Sequence, residues 1–485
     1  MYRKPSKQTL LLRRIMTYVV MVVSIVVIVG LVLLFVLGYR FNSEKGLEQG
    51  ALLQFNTQPT GALVTVDGVA VSARTPSKST VLAGTHNVTM KRTGYEDWAK
   101  TVNLSAGTLT WLDYALLIPR NRPVETLAAY DSLADATAAP NNRTMLLQRK
   151  ADTPDFDLVD LRSVQLKSTA VTLPADIYSQ AGVEGVTHSF ALKRWDNNGR
   201  FVLVNHGYAD QTEWIVLDTQ NPANSKNITR TLDVALSDVV FSGTSGNVFY
   251  GLADGTIRKL DLSADTLSRP LAMNVLSFEL YDTNIISYIG TNAKDPAKFD
   301  AGLYQDGDDA THILKTVDSL DGLRIALTRY FNDDYVAISA GKEVSILKGT
   351  FPHGDQEATT LAAFDAFHFN EVATTMNFSD GGAYLFVQSG PVYGSFDIEH
   401  QRTAFANLGD AKIDQPLRWL DSSNLYADYD GQLTIREFDG LNGHTINTLS
   451  TGYDATLSPN GRFLYSIGKN TTGLPTLQRV KMILE

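Results

Sequence analysis

Not one cysteine occurs among the 485 residues. Disulfides, thiolate metal sites, a cysteine nucleophile and a lipid-modified cysteine anchor are therefore excluded. Such a chain is held by packing alone, which is easier for a large core than a small one. A disulfide-free exported protein also fits bacteria better than a eukaryotic secretory route. Positive charge is scarce too: 42 Lys and Arg face 52 Asp and Glu, for a net charge of −10. Residues 1–14 hold Arg3, Lys4, Lys7, Arg13 and Arg14 and no acid, which leaves −15 on the remainder. That balance argues against nucleic acid as a partner, since nucleic-acid binding needs a basic face, though a local basic patch is still possible. Signatures of catalysis are missing as well. There is no G-x-S-x-G elbow, no H-E-x-x-H and no G-x4-G-K-[ST] loop.

One long hydrophobic run is present. Residues 15–38, IMTYVVMVVSIVVIVGLVLLFVLG, carry no charge. As a helix they would span roughly 36 Å, enough for a bilayer. A cleaved signal peptide would have a shorter apolar core and small residues at the cut, and Val36 and Gly38 make a poor cleavage site. The run is therefore read as a transmembrane anchor helix. Five basic residues precede it, whereas Arg40 and Lys45 after it are offset by Glu44 and Glu48. The positive-inside rule then places the N-terminus in the cytoplasm and the C-terminus outside. The expected order is a cytoplasmic basic tail (1–14), the anchor (15–38), a polar stalk (39–50), a small β domain (51–118) and a larger β domain (119–485). RNRP (120–123) forms the joint between the last two.

After residue 50, short alternating or apolar runs bounded by Gly, Asn, Asp and Pro predict an all-β ectodomain. In 51–118 the strands read ALLQFN, LVTVD, VAVSA, THNVTMKR, AKTVNLS and LTWLDYALLI, with a hairpin turn at Asp67-Gly68. Pro59, Gly61, Ala62, Val64, Val66, Asp67, Gly68, Thr75, Pro76, Leu82, Gly84, His86, Val88, Gly94 and Tyr95 stand where the segment resembles the PEGA domain of bacterial and archaeal surface proteins. The eponymous Pro-Glu-Gly-Ala run is Pro59-Thr60-Gly61-Ala62 here, so one acid is lost. The resemblance implies a small β-sandwich without enzymatic activity, often beside a membrane anchor.

From about residue 124 a unit repeats every 40–57 residues: a turn, an apolar strand, a loop and a second strand often ending in Asp. Copies begin at Pro140, Trp195, Phe241, Asp282, Phe331, Phe378, Trp419 and Leu457. Short-strand repeats with this period predict a β-propeller, whose ring covers blade faces that would otherwise be bare. The copies at 282 and 331 are weak, so the prediction is a seven- or eight-bladed β-propeller, with VETLAAY (124–130) pairing into the last blade to close it. The turns SPNG (458–461), WDNNG (195–199) and FSDGG (378–382) resemble those of TolB-like and WD40-like propellers.

Individual candidates are few. His86, His188, His206, His312, His353, His368, His400 and His444 lie singly and read as solvated polar residues, although a propeller can gather distant residues at one mouth. Asp306, Asp308 and Asp309 have a spacing that could hold Ca²⁺ but lack the later bidentate Glu, so a solvated turn is favoured, as for Asp152, Asp155 and Asp157. Trp195, Trp214 and Trp419 read as blade packing, with a sugar-stacking platform as the alternative. Trp98 and Trp111 read as core of the small domain. No catalytic, cofactor or metal residue is assigned. The expected function is a membrane-anchored, non-catalytic scaffold outside the cytoplasm whose propeller binds a protein or an envelope polymer. Two alternatives stand: a carbohydrate-active lyase or glycosidase in the propeller channel, and a subunit of a membrane sensor or assembly complex.

Overall fold

The computed structural model describes residues 7–36, 38–42, 46–180, 185–354, 360–409 and 416–484. The chain divides into two compact units, Met1–Asn121 and Arg122–Glu485.

The first unit opens with a helix, Lys7–Val36. Within it Leu11–Leu34 has mean hydropathy 2.9 and no buried part, so it is long and apolar enough to cross a membrane. Arg3 and Lys4 of the basic tail, and Glu44 and Lys45 of the expected stalk, lie outside the described residues. The described part of that stalk, 39–42 and 46–50, is strand rather than linker. Tyr39–Asn42 pairs antiparallel with the start of Gly46–Gln58, a 13-residue strand that runs on into the small domain. Gly38 and Gly46, with φ of +80° and +81°, supply the left-handed backbone at the ends of this pairing.

Two four-stranded sheets follow, one built around Gly46–Gln58 and one around Leu63–Val66. Ala51, Leu53 and Phe55 are buried on the first sheet and Val64, Val66, Val88 and Met90 on the second, so each has one apolar face. That is the pattern of a sandwich. Thr75 ties its main turn together: the Oγ1 accepts the N–H groups of Gly61 and Ala62 at 3.0 and 2.9 Å and lies 2.7 Å from Thr57 Oγ1. Asp67 takes φ +50° and Gly68 φ +80°, the backbone of a tight hairpin turn. The Asp67 carboxylate accepts Asn87 N–H at 2.8 Å and meets His86 Nδ1 at 2.6 Å. These two contacts hold its carboxyl below the usual range. Gly84 and Gly94 also have positive φ, and Tyr95 is buried. The unit does not stop at residue 118: Arg120 N–H donates to Gly94 O, and its side chain to Tyr95 O.

The second unit contains, among the described residues, eight four-stranded antiparallel sheets in sequence order. The propeller therefore has eight blades. The copies at 282 and 331, weak as sequence, are regular blades starting at Val275–Tyr281 and Arg324–Tyr330. Each repeat starts at the turn between a blade's first and second strands. There the backbone N–H of Asp196, Ser379 and Ser458 donates across the turn to Phe201, Tyr384 and Phe463 O, with Gly199, Gly382 and Gly461 at positive φ. The second strands are mostly buried, while fourth strands such as Lys167–Thr172 and Arg402–Asn407 are largely exposed and form the outer rim.

The last blade has only three strands from its own stretch of chain. Val124–Ala129 supplies the fourth by pairing antiparallel with Pro475–Lys481, as VETLAAY predicted. The joint is reinforced by Arg479, which donates to both Glu125 oxygens at 2.7 and 3.0 Å. Beneath it, Met145, Leu147 and Val159 of the first blade pack in one cluster with Tyr465, Ile467 and Leu477 of the last. Leu477 is fully buried in this cluster. Replacing Leu477 with Ala should cost about 2–5 kcal/mol of stability. Chemical denaturation measures the loss, and limited proteolysis should show the 124–129 strand cut sooner than in the parent.

Candidate functional site

Antiparallel blades sort their connections onto two faces. Turns between first and second strands, and between third and fourth, lie on one face. Turns between second and third strands share the other with the crossovers to the next blade. The best-formed side-chain cluster sits on the crossover face of the second blade, whose strands are Ser189–Trp195, Phe201–Tyr208, Gln211–Asp218 and Lys226–Asn227.

A two-residue turn, Ala209-Asp210, joins the middle strands and sets His206 opposite Glu213. Both side chains are buried. His206 Nδ1 lies 2.8 Å from Glu213 Oε1, and His206 Nε2 lies 2.8 Å from Nδ1 of the half-exposed His188. Glu213 also accepts the N–H and hydroxyl of Ser179, at 2.7 and 2.8 Å, from the crossover that leads into the blade. Burial alone would raise this carboxyl, but the hydrogen bonds from His206, Ser179 and Asn227 outweigh it and hold the group at about 2. Rings complete the site. Phe190 and Tyr208 stack on His206 with centroids 4.5 and 5.1 Å away, and Tyr178 meets it edge-on at 5.1 Å.

This geometry fixes the hydrogens. An ionised carboxylate only accepts, so His206 Nδ1 carries the proton. Neutral His206 then offers a lone pair at Nε2, and His188 Nδ1–H donates to it. The lone pair of neutral His188 is left on Nε2, which meets no partner among the described residues. Glu213 thus sets, two rings away, the tautomer of an accessible imidazole. The arrangement can accept a hydrogen bond from a ligand at that face.

The expectation of solitary, solvated histidines is therefore corrected. His206 is in the core and His188 is its partner. Asp308 lies between two others, with His312 Nε2 at 3.1 Å and His353 Nδ1 at 2.7 Å, and accepts Gly354 N–H at 2.7 Å. His368 meets Glu343 and His400 meets Asp397. Sequence held one signal for the principal cluster: a hairpin centred on Ala209-Asp210 forces the pairing of 206 with 213. Nothing local pointed to His188 or Ser179.

The acidic triplets separate. Asp306 pairs with Lys259, Asp309 with Arg269, and Asp308 with its histidines; Asp308 is buried rather than solvated because both neighbours and Gly354 satisfy it. Asp157 takes Arg149 on both oxygens, and Asp155 takes Thr172. Among the described residues no three His, Cys, Asp or Glu side chains gather in a way that could hold a metal. At the inner strands Arg194 reaches Asp238 and Glu279, while Arg418 meets Asp454. Trp214 is buried and donates to Leu236 O; Trp419 donates to Asn377 and stands edge-on to Phe386; Trp195 packs at the second blade's core. Trp98 is core, but Trp111 is not. It is 41% exposed, because its strand turns Thr110 and Leu112 inward and Trp111 outward, beside Gln54 and Lys78.

Residues 51–118 match the PEGA domain. No curated protein matches this chain. Among solved structures it is similar to Kluyveromyces lactis Hsv2, at 11% identity and TM-score 0.38, covering 72% of this chain and 97% of that one. It is similar to the Dos1 propeller, at 10% identity and TM-score 0.45, covering 74% and 94%. It is also similar to Porphyromonas gingivalis dipeptidyl peptidase 4, at 11% identity and TM-score 0.47, covering 74% of this chain and 58% of that one. These likenesses concern the propeller fold.

Two expectations follow for the His site. Glu213 has its carboxyl lowered from 4.5 to about 2, so its share of stability is complete above pH 4.5 and drains away as pH falls toward 2. Glu213→Ala should strand His206 in the core, at about 3–5 kcal/mol, and flatten that acid limb of a denaturation series against pH. Ala209 and Asp210 both have positive φ, 44° and 61°, where the third and seventh blades place Asp254-Gly255 and Asp430-Gly431. Ala209→Gly should therefore raise stability by about 0.5–1 kcal/mol in the same assay.

Proposed function

We propose that the chain is anchored in a membrane by its N-terminal helix and displays the propeller outside the cytoplasm as a non-catalytic platform for a protein or an envelope polymer. The observation that carries this reading is the closed ring. Eight blades locked by Val124–Ala129 present two broad sets of loops on a rigid frame, which suits recognition across a surface. The apolar span Leu11–Leu34, preceded by basic residues, supports the anchor and its orientation. A PEGA domain directly after the span supports a position at the cell surface. Two inner-strand acids, Asp238 and Glu279, are both held by Arg194, which ties three blades together and supports a structural role for this pair.

Protease added to intact cells should remove a C-terminal tag from the full-length protein, whereas an N-terminal tag should be cut only after lysis. The opposite pattern would overturn the orientation. Detergent-solubilised full-length protein should retain a fraction of the host envelope saturably; lack of saturable retention of both polymer and protein fractions would overturn the display reading.

One observation favours a second reading, a carbohydrate-active enzyme. Glu213, His206 and His188 form the carboxylate-to-histidine chain that orients a general base. Release of unsaturated or reducing ends from envelope polysaccharide by the intact protein, lost in His188→Gln, would establish it.

A further inference from the structure

On the opposite face from the His site, a cleft of about 490 Å³ opens between the second and third blades. One wall is the stretch after Gln211–Asp218, with Asn224 and Lys226; the other is the Ser245-Gly246-Asn247 turn of the third blade. Arg200 sits at the base.

Several polar groups of this cleft can donate. Lys226 Nζ donates to Asn247 Oδ1 at 2.7 Å, and no carboxylate of the described residues reaches it as an ion pair. With Oδ1 accepting from Lys226, the Asn247 amide N–H groups are available as donors. Ser245 Oγ accepts Asn247 N–H, so its own proton is free to donate. Arg200 spends Nε and Nη2 on Asp218, at 3.1 and 2.7 Å, and keeps the two protons of Nη1. The one acid here, Asp218, is buried. Both its oxygens are taken by Arg200, and one also accepts Gln220 and Asn221 N–H. Asp196 also acts on Arg200, so the charge left without a contacting carboxylate among the described residues is that of Lys226, in a chain that is acidic overall.

The walls are held at this separation by close packing. Gly246 has φ +64°, and a Cβ there would lie 2.8 Å from the Phe201 ring. Arg200 lies over that ring, 4.9 Å from its centroid. Glycine lets the turn press on Phe201 and brings Ser245 and Asn247 to the rim.

From this geometry we infer that the cleft binds a carboxylate-bearing group of sugar size, such as a uronic acid unit of an acidic polymer. A monoanion matches the single free charge, and a carboxylate accepts from several donors at once. The volume suits a monosaccharide. The inference names a ligand class for one face of the platform and so rests on the display reading.

Calorimetric titration of the full-length protein in detergent, at low salt and pH 7, tests it with D-glucuronate, glucose and inorganic phosphate. Glucuronate should bind saturably and more weakly as salt rises, and glucose should not bind. Lys226→Met should weaken glucuronate about ten-fold, and Asn247→Asp, which sets an acid against the ligand, should abolish binding, both with unchanged melting curves. Equal behaviour of glucuronate and glucose, or parental affinity in both variants, overturns the inference. Tighter binding of phosphate than of glucuronate overturns the carboxylate assignment. Failure of glucuronate to bind while the protein still retains an envelope fraction removes this site and leaves the display reading standing.

Discussion

The pairing of Val124–Ala129 with Pro475–Lys481 is the contact on which the larger unit depends. A four-stranded blade has two apolar faces and cannot bury both alone. Each blade therefore borrows its neighbour's face, and the debt runs round the ring until the last blade meets the first. Without the strand from the chain's beginning, the final sheet would show an unpaired edge over the cluster of Leu147, Ile467 and Leu477. Closure joins segments more than 300 residues apart, so the cost of bringing them together is set against the gain of completing all eight interfaces at once. The lack of disulfides makes this joint more consequential, because no covalent bond substitutes for it.

A rigid ring can also house polar groups that a looser fold would expel. Glu213 and His206 are both buried, a costly arrangement unless every oxygen and nitrogen is matched. Ser179 comes from the crossover, His206 and Glu213 from one hairpin, and His188 from the entry to the first strand. Their bonds are met only when the blade and its crossover are in place together. The same logic fixes Asp308 between His312 and His353 at a boundary of the fourth and fifth blades.

Much of the architecture was legible in the sequence because it repeats. Turn chemistry recurs at Asp196, Ser379 and Ser458, and each instance marks the same corner of a blade. The copies at Asp282 and Phe331 were faint because their turns dispense with that glycine-bearing motif, yet the strands beside them are as well paired as the rest. The closing strand was legible from its apolar alternation and its place before the first repeat. Residues 39–42 and 46–50 were misread because polar composition is a poor guide where paired strands extend a sheet; glycine positions carried the signal instead. Trp111 was assigned to the core from its type, while the alternation of its own strand, with Thr110 and Leu112 inward, decides the matter. The site residues were the least legible. His188 and His206 are 18 positions apart, and only the strand register brings their rings together.

Charge supplies the last step. An acidic surface repels anionic polymers, although beyond a Debye length of about 10 Å that effect is largely screened at moderate salt. Recognition of an acidic partner then depends on short-range donors, and such donors are effective only where no carboxylate competes for them. Elsewhere on the propeller several cations are matched by acids: Arg149 by Asp157, Arg329 by Asp334, Arg479 by Glu125. Lys226 instead rests on an amide, and Asp218 is turned inward to hold Arg200. In this cleft of an otherwise acidic chain the competing acid is withdrawn. Selectivity follows from that contrast: the global field disfavours highly charged polymers, while the local donors favour a single carboxylate that fits between Lys226 and Arg200.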